Sequence, residues 1–256
     1  MSAESMLRIE GLRKNYGAVA ALQGVDIEVR CGEVMGLIGP NGSGKSTLFD
    51  CCTGLQRSDA GRVLLKGVDI TGWPMNRIAR EGRFLRSFQK TVVFPTLDSE
   101  ENLVLAGQMS RFPNVLSTFW VGPSARKRIQ ALRERAKELI EVTGLARVAH
   151  LPAGNMSGGQ QKLLQFASML MPEPELILLD EPLAGINPVL IEKVIQCIEH
   201  ANKELGVTFV VIEHNTDVLM NLSHRVVVLH QGAKLADATP EEVVRNPEVI
   251  EAYLGG

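Results

Sequence analysis

Residues Val34 to Ile38 form an apolar, strand-like run that passes straight into Gly39-Pro40-Asn41-Gly42-Ser43-Gly44-Lys45-Ser46-Thr47 and then a helix-compatible stretch. Strand, glycine-rich loop and helix in that order fit the G-x-x-x-x-G-K-[ST] pattern of a phosphate-binding P-loop. The loop from Gly39 through Asn41, Gly42, Ser43 and Gly44 can curl its backbone N–H groups around phosphate oxygens. Lys45 then reaches the β- and γ-phosphates, the Ser46 hydroxyl can hold Mg²⁺, and Thr47 opens the helix whose positive end faces the anion. Alone, the motif identifies a nucleoside triphosphate site and leaves kinases, GTPases, motors and transport ATPases open.

A second pair of motifs narrows that field. Asn155-Met156-Ser157-Gly158-Gly159-Gln160-Gln161 is followed, after a helix-length gap, by Leu176-Ile177-Leu178-Leu179-Asp180-Glu181-Pro182. Consecutive aliphatic residues ending in two carboxylates describe a buried parallel strand that delivers acids to the carboxyl edge of a sheet, where ligands of open α/β sheets sit. Strand alternation would aim Asp180 at a Mg²⁺ shell and Glu181 at an attacking water. Ser157 and Gln160 also make a capping box for the apolar-periodic stretch Leu163, Leu164, Ala167 and Leu170, which leaves N–H groups exposed at a helix start.

With these residues in view, the chain resembles the ATPase domains of ATP-binding cassette (ABC) proteins over nearly its whole length. Their P-loop, Gln loop, L-S-G-G-Q signature, acidic strand end and switch His occur here in the same order. The resemblance makes Gln89 in Arg86-Ser87-Phe88-Gln89 the Gln-loop residue, His214 in Val211-Ile212-Glu213-His214 the switch His, and Tyr16 the platform for adenine. Two positions depart from the pattern. Met156 replaces the usual Leu of the signature, a volume-conserving exchange, and Asn187 replaces the usual Asp in Gly185-Ile186-Asn187-Pro188.

The fold expected is α/β, a P-loop nucleotide-binding core with an antiparallel β subdomain and an inserted helical subdomain. The core spans 1–90 and 160–256, and the helical insert spans 91–159. Met6 to Leu12 and Val25 to Arg30 alternate apolar and polar residues, as strands with one solvated face do. Gly61 to Ile70, broken at Gly67, adds a hairpin to that sheet. Central parallel strands are expected at Val34 to Gly39, Leu176 to Asp180 and Val207 to Ile212, and a late hairpin at Arg225 to His230 and Ala233 to Ala236. Asn187-Pro188 and Thr239-Pro240 each place a cap residue before a first-turn proline. Ile129, Leu132, Ala136, Leu139 and Ile140 mark an amphipathic helix that ends near Gly144.

A chain of 256 residues, 45% of them hydrophobic, can bury a substantial core. A net charge of −2 and a pI near 6.2 give no basic field for nucleic acid. Arg126-Lys127-Arg128 reads as a solvated helix face. Four cysteines, Cys31, Cys51, Cys52 and Cys197, show no metal or disulfide spacing and suit a reducing cytoplasm. No apolar run approaches the roughly 18 residues needed to span a bilayer, so any membrane role would come through partners. His150, His200, His224 and His230 read as structural or surface residues.

The resemblance also implies a mechanism. Two cassettes would dimerise head to tail around ATP and Mg²⁺, with Ser157 and Gly159 of one covering the γ-phosphate held by Lys45 and the P-loop of the other. Ser46, Gln89 and Asp180 would serve the metal, Glu181 would polarise water, and His214 would orient it, so that Glu181, His214, Gln89 and Lys45 form the catalytic set. Val92 to Asn102, with Pro95 and Glu100-Glu101, would receive a membrane subunit. Total length, the Glu181 to Pro188 run, the extra segment around Ser110 to Pro123 and the ending Asn246 to Gly255 look most like a branched-chain amino acid uptake ATPase. That group implies a second ATPase subunit, identical or different, two integral membrane permease subunits, an extracytoplasmic solute-binding protein, no nucleic acid, and a peripheral place on the cytoplasmic face of the inner membrane. Urea and short-amide importers and the ATPase of lipopolysaccharide export are close alternatives. A catalytically weak regulatory nucleotide-binding subunit is a further alternative: it would be expected to lack Lys45, Glu181 or His214, all of which are present, but Asn187 and an asymmetric heterodimer keep that reading open. A soluble cassette protein of translation or DNA repair would need a second cassette or a coiled coil, and neither pattern occurs.

Overall fold

The computed structural model describes residues 4–87, 92–111 and 123–254. Along the chain run β1 (Ser5–Tyr16), β2 (Val19–Arg30), β3 (Val34–Ile38), α1 (Lys45–Cys52), β4 (Ala60–Leu65), β5 (Val68–Asp69), α2 (Met75–Glu81) and β6 (Phe84–Arg86). Then come α3 (Ser99–Arg111), α4 (Pro123–Val142), α5 (Gly158–Leu170), β7 (Leu176–Asp180), α6 (Pro188–Lys203) and β8 (Thr208–Ile212). The chain closes with α7 (Thr216–Leu222), β9 (Arg225–His230), β10 (Ala233–Ala238), α8 (Pro240–Arg245) and α9 (Pro247–Leu254). By contact these fall into two compact units, one of Met1–Ser87, Glu175–Glu181 and Asn202–Gly256, the other of Phe88–Pro174 and Pro182–Ala201.

The first unit holds both sheets. The larger has six strands in the order β10-β9-β3-β8-β7-β6, parallel except for the β9–β10 hairpin at its edge. Every residue of β3, β7 and β8 is buried, which is why these strands read as unbroken apolar runs rather than alternating ones. β3 lies between β8 and β9, so the loop that follows it opens at the middle of the sheet's carboxyl edge. The second sheet, β2-β1-β4-β5, is antiparallel throughout.

Both β1 and β2 are 12 residues long, well beyond the alternating segments visible in the sequence. The register shifts between Ile9 and Leu12 and again between Lys14 and Asn15. Each bulge inserts a residue and reverses the in/out phase, so alternation fades although pairing continues. The inner face of this sheet, with Leu7, Leu12, Val25 and Val29, shares one apolar core with Leu37, Phe49, Phe84, Leu178 and Val227.

The second unit is helical among its described residues. Leu132, Ala136, Leu139 and Ile140 of α4 are buried, whereas Ile129 at the same periodicity, in the second turn, is 37% exposed. Arg126, Lys127 and Arg128 are exposed. α4 stops where Gly144 turns to φ +69°, with Gly144 N–H donating to Glu141 O and Leu145 N–H to Ile140 O. Ser157 caps α5 through the expected reciprocal box with Gln160. Asn187 Oδ1 accepts the Leu190 N–H at 3.0 Å, so Asn caps α6 as well as Asp would. No helix among the described residues is long and apolar enough to cross a membrane.

Candidate nucleotide site

The P-loop geometry follows from its glycines. Gly39 leaves β3 at φ +152°, and a Cβ there would lie 2.1 Å from Leu229 O and 2.6 Å from Ser43 Oγ. Gly44, at φ +103°, would place a Cβ 2.5 Å from Ala21 O. Only glycine allows the loop to pass this close to β9 and β2 and still enter α1. Ser43 is buried, and its carbonyl accepts the Gly232 N–H, which ties the loop to the β9–β10 turn.

Lys45 folds back over the loop and donates to Gly39 O at 2.7 Å, Pro40 O at 3.0 Å and Ser43 Oγ at 3.4 Å. Burial pushes its ammonium below the ordinary lysine range, and the charges of Glu181 and Asp180 pull it partly back. A desolvated cation held by loop carbonyls is suited to an anionic ligand, because phosphate oxygens offer the same donors a stronger partner.

Around the loop opens a cavity of about 420 Å³. It is lined by Tyr16, Val19, Ala20, Ala21, Gln23 and Gln231, by Asn41, Gly42, Gly44, Lys45, Ser46 and Thr47 of the loop and helix start, and by Asp180, Glu181, Ile212 and His214. The structure therefore brings to one cavity every first-unit residue singled out for the site except Gly39 and Ser43, which do not line it. Tyr16 closes β1 and is 46% exposed, as a stacking surface must be.

Asp180 is the last residue of β7 and is buried. Glu181 follows in the left-handed region at φ +50°, with its N–H donating to Ile212 O at 2.9 Å. Strand alternation therefore does not set its direction. The left-handed turn does, at a cost of roughly 1–2 kcal/mol for a non-glycine residue. Glu181 Oε1 thereby lies 2.9 Å from His214 Nε2, within hydrogen-bond distance. His214 follows β8, and its N–H donates to the side chain of buried Glu213 at 3.2 Å.

Ser157 and Gly159 belong to the second unit, at the start of α5. Ser157 is exposed, and a Cβ on Gly159 would lie 2.0 Å from Leu190 Cδ1. Met156 is buried, as the Leu it replaces would be. Gln89 lies outside the described residues, as does most of the Ser110 to Pro123 segment. His224 is structural, its Nδ1 accepting the Val34 N–H. The residue that sequence reasoning missed is Arg86, which pairs with both Asp50 and Asp180.

The family described as ABC transporter matches residues 22–184. The chain belongs to that family. A second family, the branched-chain amino acid ATP-binding cassette transporter, matches residues 233–256. Among curated relatives, the high-affinity branched-chain amino acid transport ATP-binding protein BraF of Pseudomonas aeruginosa is 37% identical, over 98% of each chain. The ADP conformation of MJ1267, an ATP-binding cassette of an ABC transporter, superposes with a TM-score of 0.83 at 32% identity, over 98% of this chain and 99% of that one. A dimeric post-hydrolysis state of the cassette MJ0796, bound to ADP and Pi, matches with a TM-score of 0.74 at 25% identity, over 92% of this chain and 99% of that one. The chain is thus an ABC-type ATPase, and the cavity at its P-loop is the candidate nucleotide site.

Proposed function

We propose that this cassette is the ATP-hydrolysing subunit of a branched-chain amino acid importer. The observation that carries the proposal is the Lys45, Asp180, Glu181 and His214 constellation around one cavity, in a chain that resembles BraF from end to end. The cargo rests on the relatives alone, since cargo chemistry is not written in a nucleotide site.

The residues present fit a nucleotide and a divalent cation. The glycine cradle carries no side chain at Gly39, Gly42 or Gly44, and at Gly39 and Gly44 a Cβ would collide with neighbouring backbone. Ser46 and Asp180 offer the hard oxygen donors that Mg²⁺ takes, and no cluster of three metal-ligating side chains occurs among the described residues. That is the arrangement for a cation held by one or two protein oxygens plus substrate phosphates. Bound there, Mg²⁺ would neutralise charge on the phosphate oxygens.

The chain's own groups supply the rest. Lys45 and the loop N–H groups bind and orient the phosphates, and Tyr16 receives the adenine. Glu181 polarises the attacking water, and His214, hydrogen-bonded to Glu181, fixes the direction of that carboxylate and contacts the γ-phosphate. Gln89 links the metal site to the loop that follows. Ser157 and Gly159 cap the γ-phosphate from a second cassette, in a head-to-tail pair of the kind the dimeric MJ0796 makes plausible in shape. The pair, of identical or different cassettes, works beneath two permease subunits fed by an extracytoplasmic binding protein, which places it peripherally on the cytoplasmic face of the membrane.

The test is equilibrium binding of ATP with light scattering on the Glu181→Gln protein. ATP-dependent dimers would support paired composite sites, and a monomer that binds ATP would assign the partner role to a different cassette. In the same assay Lys45→Ala should weaken nucleotide binding; wild-type affinity in that variant would overturn the phosphate role.

A further inference from the structure

Arg86 is the last residue of β6, and its side chain is only 10% exposed. One terminal nitrogen pairs with Asp50 and the other donates to Asp180 Oδ2 at 2.8 Å. The guanidinium also lies 5.6 Å from the centre of the Phe49 ring, and its Nε is buried without a hydrogen-bond partner among the described residues. Burial opposes its charge, and the hydrogen bonds and charges of Asp50 and Asp180 more than compensate, so its pKa stands above the ordinary value. A buried cation with one donor left unsatisfied is costly to keep. Its place in the molecule gives it a use.

Asp50 sits on α1 one helical turn beyond Ser46, on the same side of the helix. Asp180 ends β7. A single guanidinium therefore ties the helix that carries the Ser46 hydroxyl to the strand end that carries the Asp180 carboxylate. These are the two oxygen donors assigned above to the divalent cation. A planar fork suits the task, because it fixes the direction of each carboxylate as well as its distance.

We propose that Arg86 is a positioning residue for the metal site: it holds Asp180 by Oδ2, leaves Oδ1 outside the ion pair, and sets the spacing between Asp180 and Ser46 through Asp50. The inference rests on the reading of Asp180 as a metal ligand. Supporting groups of this kind alter metal affinity by about 10- to 100-fold when removed. They do not touch the nucleotide, so metal-free binding is unaffected.

The experiment is a titration with Mg²⁺ of the intact chain in the presence of a non-hydrolysable imido analogue of ATP, read by fluorescence, alongside binding of the same analogue in EDTA. Arg86→Met is expected to raise the Mg²⁺ needed for half-saturation by about 10- to 100-fold and to leave affinity in EDTA within about twofold. Arg86→Lys, a point charge without the fork, should recover part of the loss. Should Arg86→Met not fold, the double variant Arg86→Met with Asp50→Asn leaves one fewer partly buried carboxylate uncompensated and should show the same shift. Asp180→Asn separates the two layers of the argument: if it leaves the Mg²⁺ dependence intact, the ligand reading itself fails. If Asp180→Asn shifts the titration and the Arg86 variants do not, the positioning role is refuted. Equal losses with and without metal would reduce Arg86 to a structural tie, and tighter Mg²⁺ binding would make it a competitor of the cation; either result overturns the proposal.

Discussion

Replacing Gly39 by alanine isolates the close approach on which the P-loop depends. The added methyl would stand 2.1 Å from Leu229 O, whereas a tolerated contact begins near 3.0 Å, so about 0.9 Å must be found by moving backbone. Leu229 is fully buried, and β9 is paired on both sides by β3 and β10, so the carbonyl has nowhere to go. Overpacking costs about 1–3 kcal/mol, and holding a non-glycine residue in a forbidden backbone region adds about 1–3 kcal/mol. The sum, roughly 2–6 kcal/mol, corresponds to a melting temperature lower by roughly 4–24 °C for a chain of this size. Gly42→Ala is the control, since Gly42 also has a positive φ, +79°, but a Cβ there meets nothing within 4 Å. Thermal unfolding of the two variants side by side should show Gly39→Ala melting below Gly42→Ala, the clash being the main part of the difference. Equal melting temperatures would refute the reasoning, because both variants hold alanine at a positive φ and only Gly39→Ala adds the clash.

Other expectations concern groups outside the loop. Cys31 is exposed, and burial pushes the thiols of Cys51 and Cys197 up to about 11 and that of Cys52 higher still. Burial also raises the Cys31 thiol, so a thiol reagent at pH 8 should modify Cys31 first by virtue of its exposure and reach all four cysteines only in denaturant; labelling of a second thiol as fast as Cys31 would contradict the packing of α1 and α6. Asp237 is held below the usual carboxylate range: burial raises it, but the hydrogen bond and charge of Arg225, helped by Lys234, outweigh that. A depressed folded pKa stabilises above the unfolded value of about 3.9 and ceases to do so as pH falls through the folded value. Asp237→Asn should cost about 1–3 kcal/mol at pH 7, and the gap from wild type should close below about pH 4. A gap that persists at pH 2 would mean the loss is packing, not charge.

Much of the site was legible because its signals are local. The P-loop, the apolar run ending in Asp180, and the caps at Ser157, Asn187 and Thr239 are each written within a few consecutive residues, and the structure places the caps at helix starts as read. The antiparallel sheet was legible only where alternation survived, since the bulges near Gly11 and Lys14 reverse its phase. β6 carried no local signal: it has three residues, and its strand character comes from pairing with Leu176, Ile177 and Leu178, far along the chain. Arg86 was missed for the same reason, because its partners Asp50 and Asp180 come from elements that only the sheet order brings together. Glu181 was assigned the right neighbourhood by the wrong argument. Its direction depends on a positive φ that no residue type in Asp180-Glu181-Pro182 announces.

The most direct test of the nucleotide site as the seat of hydrolysis is steady-state ATP turnover of Glu181→Gln, measured together with ATP affinity on the same preparation. Removing a general base that polarises water should lower turnover by about 10²- to 10⁴-fold while ATP continues to bind at the P-loop. Turnover equal to wild type, with ATP still bound, would contradict the assignment of Glu181 and with it the chemistry proposed for this cavity.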